Sequence, residues 1–290
     1  VMHWVIQNNL CNEAGHDRLL EALARRGIPH TLCKVIPFSH VLTSDVCPEN
    51  PVIAMGTVTL ARIAEERGWR PGGLLSRNFD FEVQRAHWGD LLLNAGGIVC
   101  SLAEVPEQPR PFFIRPTLDG KPFAGHATDW PSFIAWRDSV LVLTTVTGET
   151  RVLVAPLQTL YREARFWIVD GKVVTGSVYK EGTRVVSCEI RRVPYQAVDP
   201  LHTFALAIAM RGGMTMGGPC AACNGTYCQF QPARAYCLDV AETPEGPKIL
   251  EVNCLASAGY YAADMGALVD ALESAFGRRF DNESFRRAPT

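Results

Sequence analysis

The chain has 290 residues, 28 Lys and Arg against 30 Asp and Glu for a net charge of −2, and is 47% hydrophobic and 20% charged. This is the composition of an ordinary globular protein, long enough for two or three packed units. The near-neutral balance argues against an electrostatic grip on a nucleic-acid backbone, and charged residues or glycine interrupt every apolar run before it could span a membrane.

His3–Gln7 reads as a strand. Its leading segment, VMHWVIQNNL, has neither the basic region nor the apolar core of an export signal, so the ten cysteines are expected as reduced thiols in the cytoplasm. Glu13–Arg26 carries Leu19, Leu20, Leu23 and Ala24 on one helical stripe, with Gly27 placed to cap it. Thr31–Ile36 and Pro51–Met55 read as strands, and Thr57 as the cap of a helix over Val58–Arg67 that Gly68 ends. A helix is expected over Glu82–Leu93 and a strand over Ile98–Leu102. This order predicts a small α/β unit with parallel pairing. No G-x-G-x-x-G follows the first strand, so a dinucleotide site has little support. The proline run Pro106–Pro111 is the best linker, because proline removes donors and stiffens the chain. It places a boundary near residue 108: an N-terminal α/β domain over 1–108 and a second domain over 109–290, in lobes of roughly 109–175 and 176–280.

Phe112–Arg115 reads as a strand, followed by a loop, TLDGKPFAG, in which Lys121 lies between glycines. Glycines let backbone N–H groups approach phosphates and a lysine adds a point charge; a hairpin turn with a solvated lysine is the plain alternative. Asp129–Arg137 is expected as a short helix with Trp130 and Trp136 in the core, and Val140–Thr145 and Arg151–Ala155 as strands around Gly148. Asp170-Gly171 joins RFWIV and KVVTGSVY as a tight hairpin, and alternation places Glu163, Arg165, Trp167 and Val169 on one face. Taken alone, Glu163 and Arg165 would be a cross-strand ion pair on a solvated sheet. Pro200–Met210 reads as a helix with a structural His202. Cys220, Cys223 and Cys228 lack the second pair that a zinc site usually shows, so reduced loop cysteines are expected there.

Near the C-terminal end, Leu238–Ala241 and Lys248–Asn253 read as two strands around the turn-rich TPEGP segment. Leu238, Val240, Leu250 and Val252 then form an apolar face, and Asp239, Glu251 and Asn253 a polar one. Symmetric pairing about Glu245 would set Asp239 opposite Glu251. Facing carboxylates repel unless a cation sits between them, and hard oxygen donors of this kind suit Mg²⁺ beside nucleotide phosphates. Met265–Phe276 reads as a closing amphipathic helix.

This hairpin, LDVA…ILEVN, and the SAGYYAAD after it resemble the metal-binding end of the ATP-grasp superfamily, where an Asp or Glu and then Glu-x-Asn hold Mg²⁺ on ATP. The resemblance implies Asp239, Glu251 and Asn253 as metal ligands. It continues backward in family order over about residues 112–276. Arg115-Pro116 followed by Lys121-Pro122-Phe123-Ala124-Gly125 is similar to one subgroup's Arg-Pro strand end and Lys-x-Phe-x-Gly loop, which implies that Arg115 and Lys121 contact ATP phosphates. Most of the superfamily has Lys at the position of Arg115; Arg keeps the charge and changes the geometry. The same resemblance implies that the chain passes the adenine around Ala155–Gln158, with Leu157 in the cofactor site, and that Glu163 binds the ribose or orients the site. It implies catalytic roles for Arg165 and Lys180 beside the phosphates.

The fold so implied is mixed α/β and α+β, a small N-terminal α/β domain followed by a two-lobed ATP-grasp fold. The implied activity is an ATP-dependent ligase that joins a carboxylate to an amine through an acylphosphate, with ATP and Mg²⁺ as cofactors. Its substrates would be small-molecule or peptide carboxylates and amines, with no nucleic acid and no membrane; a homodimer is left open. A kinase that stops at phosphoryl transfer and a non-catalytic nucleotide-binding module are the alternatives.

Overall fold

The structure, a computed structural model, describes residues 1–10, 15–36, 39, 41–43, 46–120, 122–144, 146–190, 199–211 and 230–277. Lys121, Cys220, Cys223 and Cys228 lie outside the described residues.

The N-terminal unit is a parallel sheet of β1 (His3–Gln7), β2 (His30–Cys33), β3 (Val52–Met55) and β4 (Pro71–Gly72) in the order β2-β1-β3-β4. Strand β3, VIAM, is buried throughout, as a parallel strand covered on both faces must be. Helix α1 (His16–Arg25) buries Leu19, Ala22 and Leu23. Helix α2 (Val58–Glu66) starts where the Thr57 hydroxyl accepts from the Leu60 N–H, and buries Leu60, Ala61, Ile63 and Ala64. Helix α3 (Phe81–Trp88), capped by Asp80, ends earlier than the expected 93 in a 3₁₀ turn over 89–91.

A second sheet holds β5 (Ile98–Ser101), β6 (Phe112–Pro116), β7 (His126–Thr128) and β8 (Arg151–Pro156) in the order β5-β8-β6-β7, all antiparallel. Strand β5 precedes the proline run and the others follow it, so this sheet spans the place where a boundary near residue 108 was expected. Helix α4 (Trp130–Leu143) begins at Asp129, whose carboxylate accepts from the Ser132 N–H. It continues through most of Val140–Thr145, where the sequence predicted a strand. The β-branched pair Val140 and Val142 reads as a strand locally, but Val140 and Leu141 extend the stripe of Phe133 and Trp136 that packs on this sheet's own core.

The third sheet holds β9 (Arg162–Val169), β10 (Lys172–Glu181), β11 (Arg184–Glu189), β12 (Ala235–Thr243) and β13 (Gly246–Asn253), antiparallel in the order β11-β10-β9-β12-β13. Asp170 and Gly171 connect β9 and β10 with φ of +45° and +72°, the left-handed pair a two-residue hairpin requires. Strand β11 went unpredicted: it is an edge strand, exposed at nearly every position, and so shows no alternation. Helices α5 (Pro200–Arg211) and α6 (Met265–Phe276) pack on this sheet.

One hydrophobic core runs from the N-terminal unit into the third sheet, joining Met2, Trp4 and Leu23 to Phe166, Leu268 and Leu272. Polar ties reinforce it: the Trp4 indole donates to Glu273 at 2.7 Å, and Arg26, just past the end of α1, forks onto Asp270 on α6 at 2.6 and 2.7 Å. The second sheet and α4 have a separate core around Phe112, Ile114, Phe133 and Val152. That sheet and α4 form a lobe with its own core on one face, while Leu153 on β8 packs into the larger core of the composite body. Among the described residues, no helix is long and apolar enough to cross a membrane.

Candidate active site

The two lobes enclose a cleft of about 610 Å³ lined by β6, β7, β8, β9, β10 and β13. Its floor is set by register. Arg165 on β9 pairs with Asp239 on β12, and Asp239 with Glu251 on β13, so three charged side chains stand in one row across three strands. The opposition of Asp239 and Glu251 expected from the sequence is present, though not by symmetry about Glu245. The turn pairs Thr243 with Gly246, and a bulge at Leu250 restores the offset before Glu251.

An extra residue of this kind breaks the alternation of faces. Ile249 and Val252 enter the core, whereas Leu250 joins Glu251 on the cleft side, contrary to the expectation that Leu250 and Val252 share the apolar face. A second bulge lies on β10, where Val178 pairs with Ala164 and Lys180 with Glu163, leaving Tyr179 between. Two consecutive side chains thereby reach one carboxylate: the Tyr179 hydroxyl donates to Glu163 Oε2 at 3.0 Å and Lys180 Nζ to Oε1 at 2.7 Å.

The row is held by charge-assisted hydrogen bonds. Arg165 forks onto both oxygens of Asp239 at 2.7 Å, with the two residues 8% and 1% exposed. Asn253 Nδ2 bridges the acids, donating to Asp239 Oδ2 at 3.2 Å and Glu251 Oε1 at 3.1 Å. Arg115, on β6 of the other lobe, meets the row at 2.8 Å from Glu251 Oε2. The Arg165 guanidinium also lies 5.3 Å from the Tyr261 ring, which stacks on Tyr179 at 5.0 Å. Burial opposes the charge of Arg165, but the adjacent Asp239 carboxylate holds its pKa well above the usual range. Burial, and then the charges of Asp239 and Glu163, push the Tyr179 phenol well above its usual range, so it is a donor and not a base. Burial likewise raises the Cys237 thiol and pushes Cys254 to about 11; neither is a ready nucleophile.

Of the residues singled out in the sequence, Arg115, Leu157, Glu163, Lys180 and Glu251 line the cleft, and Arg165, Asp239 and Asn253 lie behind Glu251 in the hydrogen-bonded row. Sequence reasoning missed Tyr179, Leu250 and Tyr261; the first two owe their positions to bulges that alternation cannot show. Among the described residues no group of three His, Cys, Asp or Glu side chains clusters as a metal site. Two carboxylates and a carboxamide nonetheless form a hard-oxygen donor set of the kind Mg²⁺ takes when phosphates supply the other ligands, and the set fits that ion by its chemistry.

The N-terminal unit grips the loop after β13. Gly56 N–H donates to the Ala256 carbonyl at 2.8 Å, and Arg18 donates to the Tyr261 carbonyl. Gly15 approaches Tyr260 so closely that an added Cβ would lie 2.2 Å from the tyrosine Cβ. The C-terminal ends of β1 and β3, where the strand order reverses, stand beside this loop.

Residues 64–272 match a sequence family described as an ATP-grasp domain, the third family of its clade. Among solved structures the fold is similar to a RimK domain ATP-grasp protein from Sphaerobacter thermophilus, at 16% identity and a TM-score of 0.51 over 91% of this chain and 98% of that one. It is similar to the ATP-grasp ligase PsnB complexed with a minimal precursor, at 15% identity and 0.50 over 95% and 99%. It is also similar to D-alanine–D-alanine ligase from Bacillus anthracis, at 10% identity and 0.53 over 95% and 97%. No curated protein matches the chain. At these identities the structural likeness speaks to the fold alone.

Proposed function

The chain belongs to this ATP-grasp domain family, and on that footing we propose that it is an ATP-dependent ligase that joins a carboxylate to an amine. The observation that carries this reading is the row Arg165–Asp239–Glu251 on one lobe, met at its end by Arg115 from the other. It sets hard acids on one side of a cleft and cations on both, which is what binding and activating a nucleoside triphosphate needs.

In this reading Leu157 and Leu250 pack against the base, and Glu163 orients the ribose. Arg115 and Lys180, with Lys121 added by the sequence, hold the phosphates. Glu251 and the Asn253 carboxamide oxygen would hold Mg²⁺, with Asp239 behind them fixed by its Arg165 pair, and the ion would supply neutralising charge for the γ-phosphoryl oxygens. The acceptor carboxylate and the amine lie between the N-terminal unit and the loop Ala256–Tyr261. A carboxylate oxygen attacks the γ-phosphorus and ADP leaves, giving an acylphosphate. The amine nitrogen then attacks the acyl carbon, loses a proton, and phosphate departs. No protein nucleophile is required, which agrees with the raised thiols of Cys237 and Cys254. Two of the similar structures are ligases, one for D-alanine and one complexed with a minimal precursor, which favours amino acids and short peptides as the first substrates to try.

The test is ADP release by the purified protein with Mg-ATP against pools of amino acids and short peptides, with mass spectrometry of the products. An amide product formed in step with ADP supports the ligase. A stable phosphorylated product makes the protein a kinase, and nucleotide binding with no turnover in any pool makes it a binding module.

A further inference from the structure

The carboxylates of the row are already engaged by the protein's own donors. Both Asp239 oxygens accept from Arg165, and one of them from Asn253 as well. Glu251 Oε1 accepts from Asn253 and Oε2 from Arg115. The two arginines differ in kind. Arg165 stands on β9, next to β12 in the same sheet, and its pair with Asp239 is buried. Arg115 comes from the other lobe, which packs α4 on a core of its own, and its pair with Glu251 keeps side-chain exposures of 15% and 19%. The face of Phe81, 5.2 Å from the Arg115 guanidinium, steadies it in that position. Of these donors to the two acids, Arg115 is therefore the one that a movement between lobes can withdraw.

We propose that Arg115 is a latch on Glu251 that bars a divalent metal from the row until a nucleotide polyphosphate draws the arginine away. This deepens the reading of the cleft as an ATP site and rests on it. A hydrated Mg²⁺ arriving alone must shed water, which it does reluctantly, and must also strip Glu251 of a charge-assisted partner. A polyphosphate removes the second obstacle, because its oxygens offer the guanidinium fork an equivalent bidentate partner. Glu251 Oε2 then gives up its arginine donor, and Arg115 passes from a carboxylate to a phosphate without losing its pairing. Metal and nucleotide binding are positively coupled as a result, and the coupling is reciprocal.

Mn²⁺, read by its free-ion paramagnetic resonance signal, probes the latch without any turnover. In the absence of nucleotide, Arg115→Gln should bind Mn²⁺ more tightly than wild type by about tenfold, the scale of coupling between linked ligands. Arg115→Ala is a second variant with the same expectation should the first fold poorly, folding being checked by circular dichroism. Lys248→Gln removes a cation on the same strand as Glu251 that donates to the Asp90 carbonyl and not to Glu251, so it should leave Mn²⁺ affinity near wild type. Equal Mn²⁺ affinity in wild type and both Arg115 variants overturns the proposal, and so does an equal gain in Lys248→Gln, which would reduce the effect to net charge. A wild-type protein whose melting temperature Mg-ATP leaves unshifted removes the ATP-site reading itself, an outcome read separately from the Mn²⁺ comparison.

Discussion

Arg165 on β9 and Asp239 on β12 meet through two parallel hydrogen bonds of 2.7 Å, with both residues almost wholly buried. Adjacent strands in register hold the two side chains on one face, so the pair is built into the sheet. It fixes one end of the row that reaches Glu251 and the cleft.

The pair makes Asp239 structural as well as functional. Asp239→Asn keeps the shape and leaves the Arg165 charge buried without its counter-ion. Breaking a buried pair from one side costs about 3–5 kcal/mol. The urea midpoint of Asp239→Asn should fall accordingly, and the double replacement Arg165→Met with Asp239→Leu should lose less than that single change. An unchanged midpoint in Asp239→Asn would show that the buried pair adds nothing to stability.

How far the sequence anticipates this site depends on where the pleat is regular. Strict alternation put Glu163 and Arg165 on one face of β9 and Asp239 on the face opposite Leu238 and Val240 of β12, and the opposition of Asp239 and Glu251 followed from the spacing of the hairpin, but the pairing of β9 with β12 that joins them was not legible. One extra residue at Leu250 and another at Tyr179 then turned side chains that alternation had sent elsewhere or left unremarked. A bulge is a tertiary decision with no residue signature of its own here. The strand expected over Val140–Thr145 failed for a related reason: β-branched residues at the end of α4 are decided by the core they pack on. The order β1, α1, β2, β3 and α2 was legible, because its glycine stops, Thr57 cap and apolar stripes agree, whereas the two-residue β4 was not.

Tyr179 should leave a signature in the pH dependence of stability. Its folded pKa is raised above the unfolded value of about 10 by burial and by Asp239 and Glu163. A group raised in the folded state contributes fully below the unfolded value and loses that contribution as pH climbs through the folded one. The stability advantage of wild type over Tyr179→Phe should therefore be largest near neutrality, on the order of 1.5–3 kcal/mol for a hydrogen bond to a carboxylate, and should shrink above about pH 10. Urea midpoints of both proteins from neutral to alkaline pH check this; a gap that stays constant or widens would place the phenol proton elsewhere.

Leu250 offers a test of the bulge itself. It lines the cleft in place of the core position that simple alternation assigns. Leu250→Ala should lower thermal stability less than Ile249→Ala, whose side chain is fully buried. It should weaken nucleotide binding by about 1–2 kcal/mol, part of the value of burying a leucine side chain. That is roughly five- to thirtyfold in Kd. Titration calorimetry and melting curves on the two variants decide it; a larger loss of stability in Leu250→Ala, with unchanged nucleotide affinity, would return Leu250 to the core.

Equilibrium binding of a non-hydrolysable ATP analogue with Mg²⁺, measured by calorimetry on wild type and on Glu251→Gln, bears most directly on the cleft. Glu251 lies at the cleft end of the row, only partly buried, so its replacement should leave the fold in place. One nucleotide should bind per wild-type chain. Binding to Glu251→Gln should be weaker by about 1.5–3 kcal/mol, the worth of a hydrogen bond to a charged group, or roughly ten- to hundredfold. Equal affinity in the two proteins, or no binding by wild type, would contradict the assignment of this cleft to Mg-ATP.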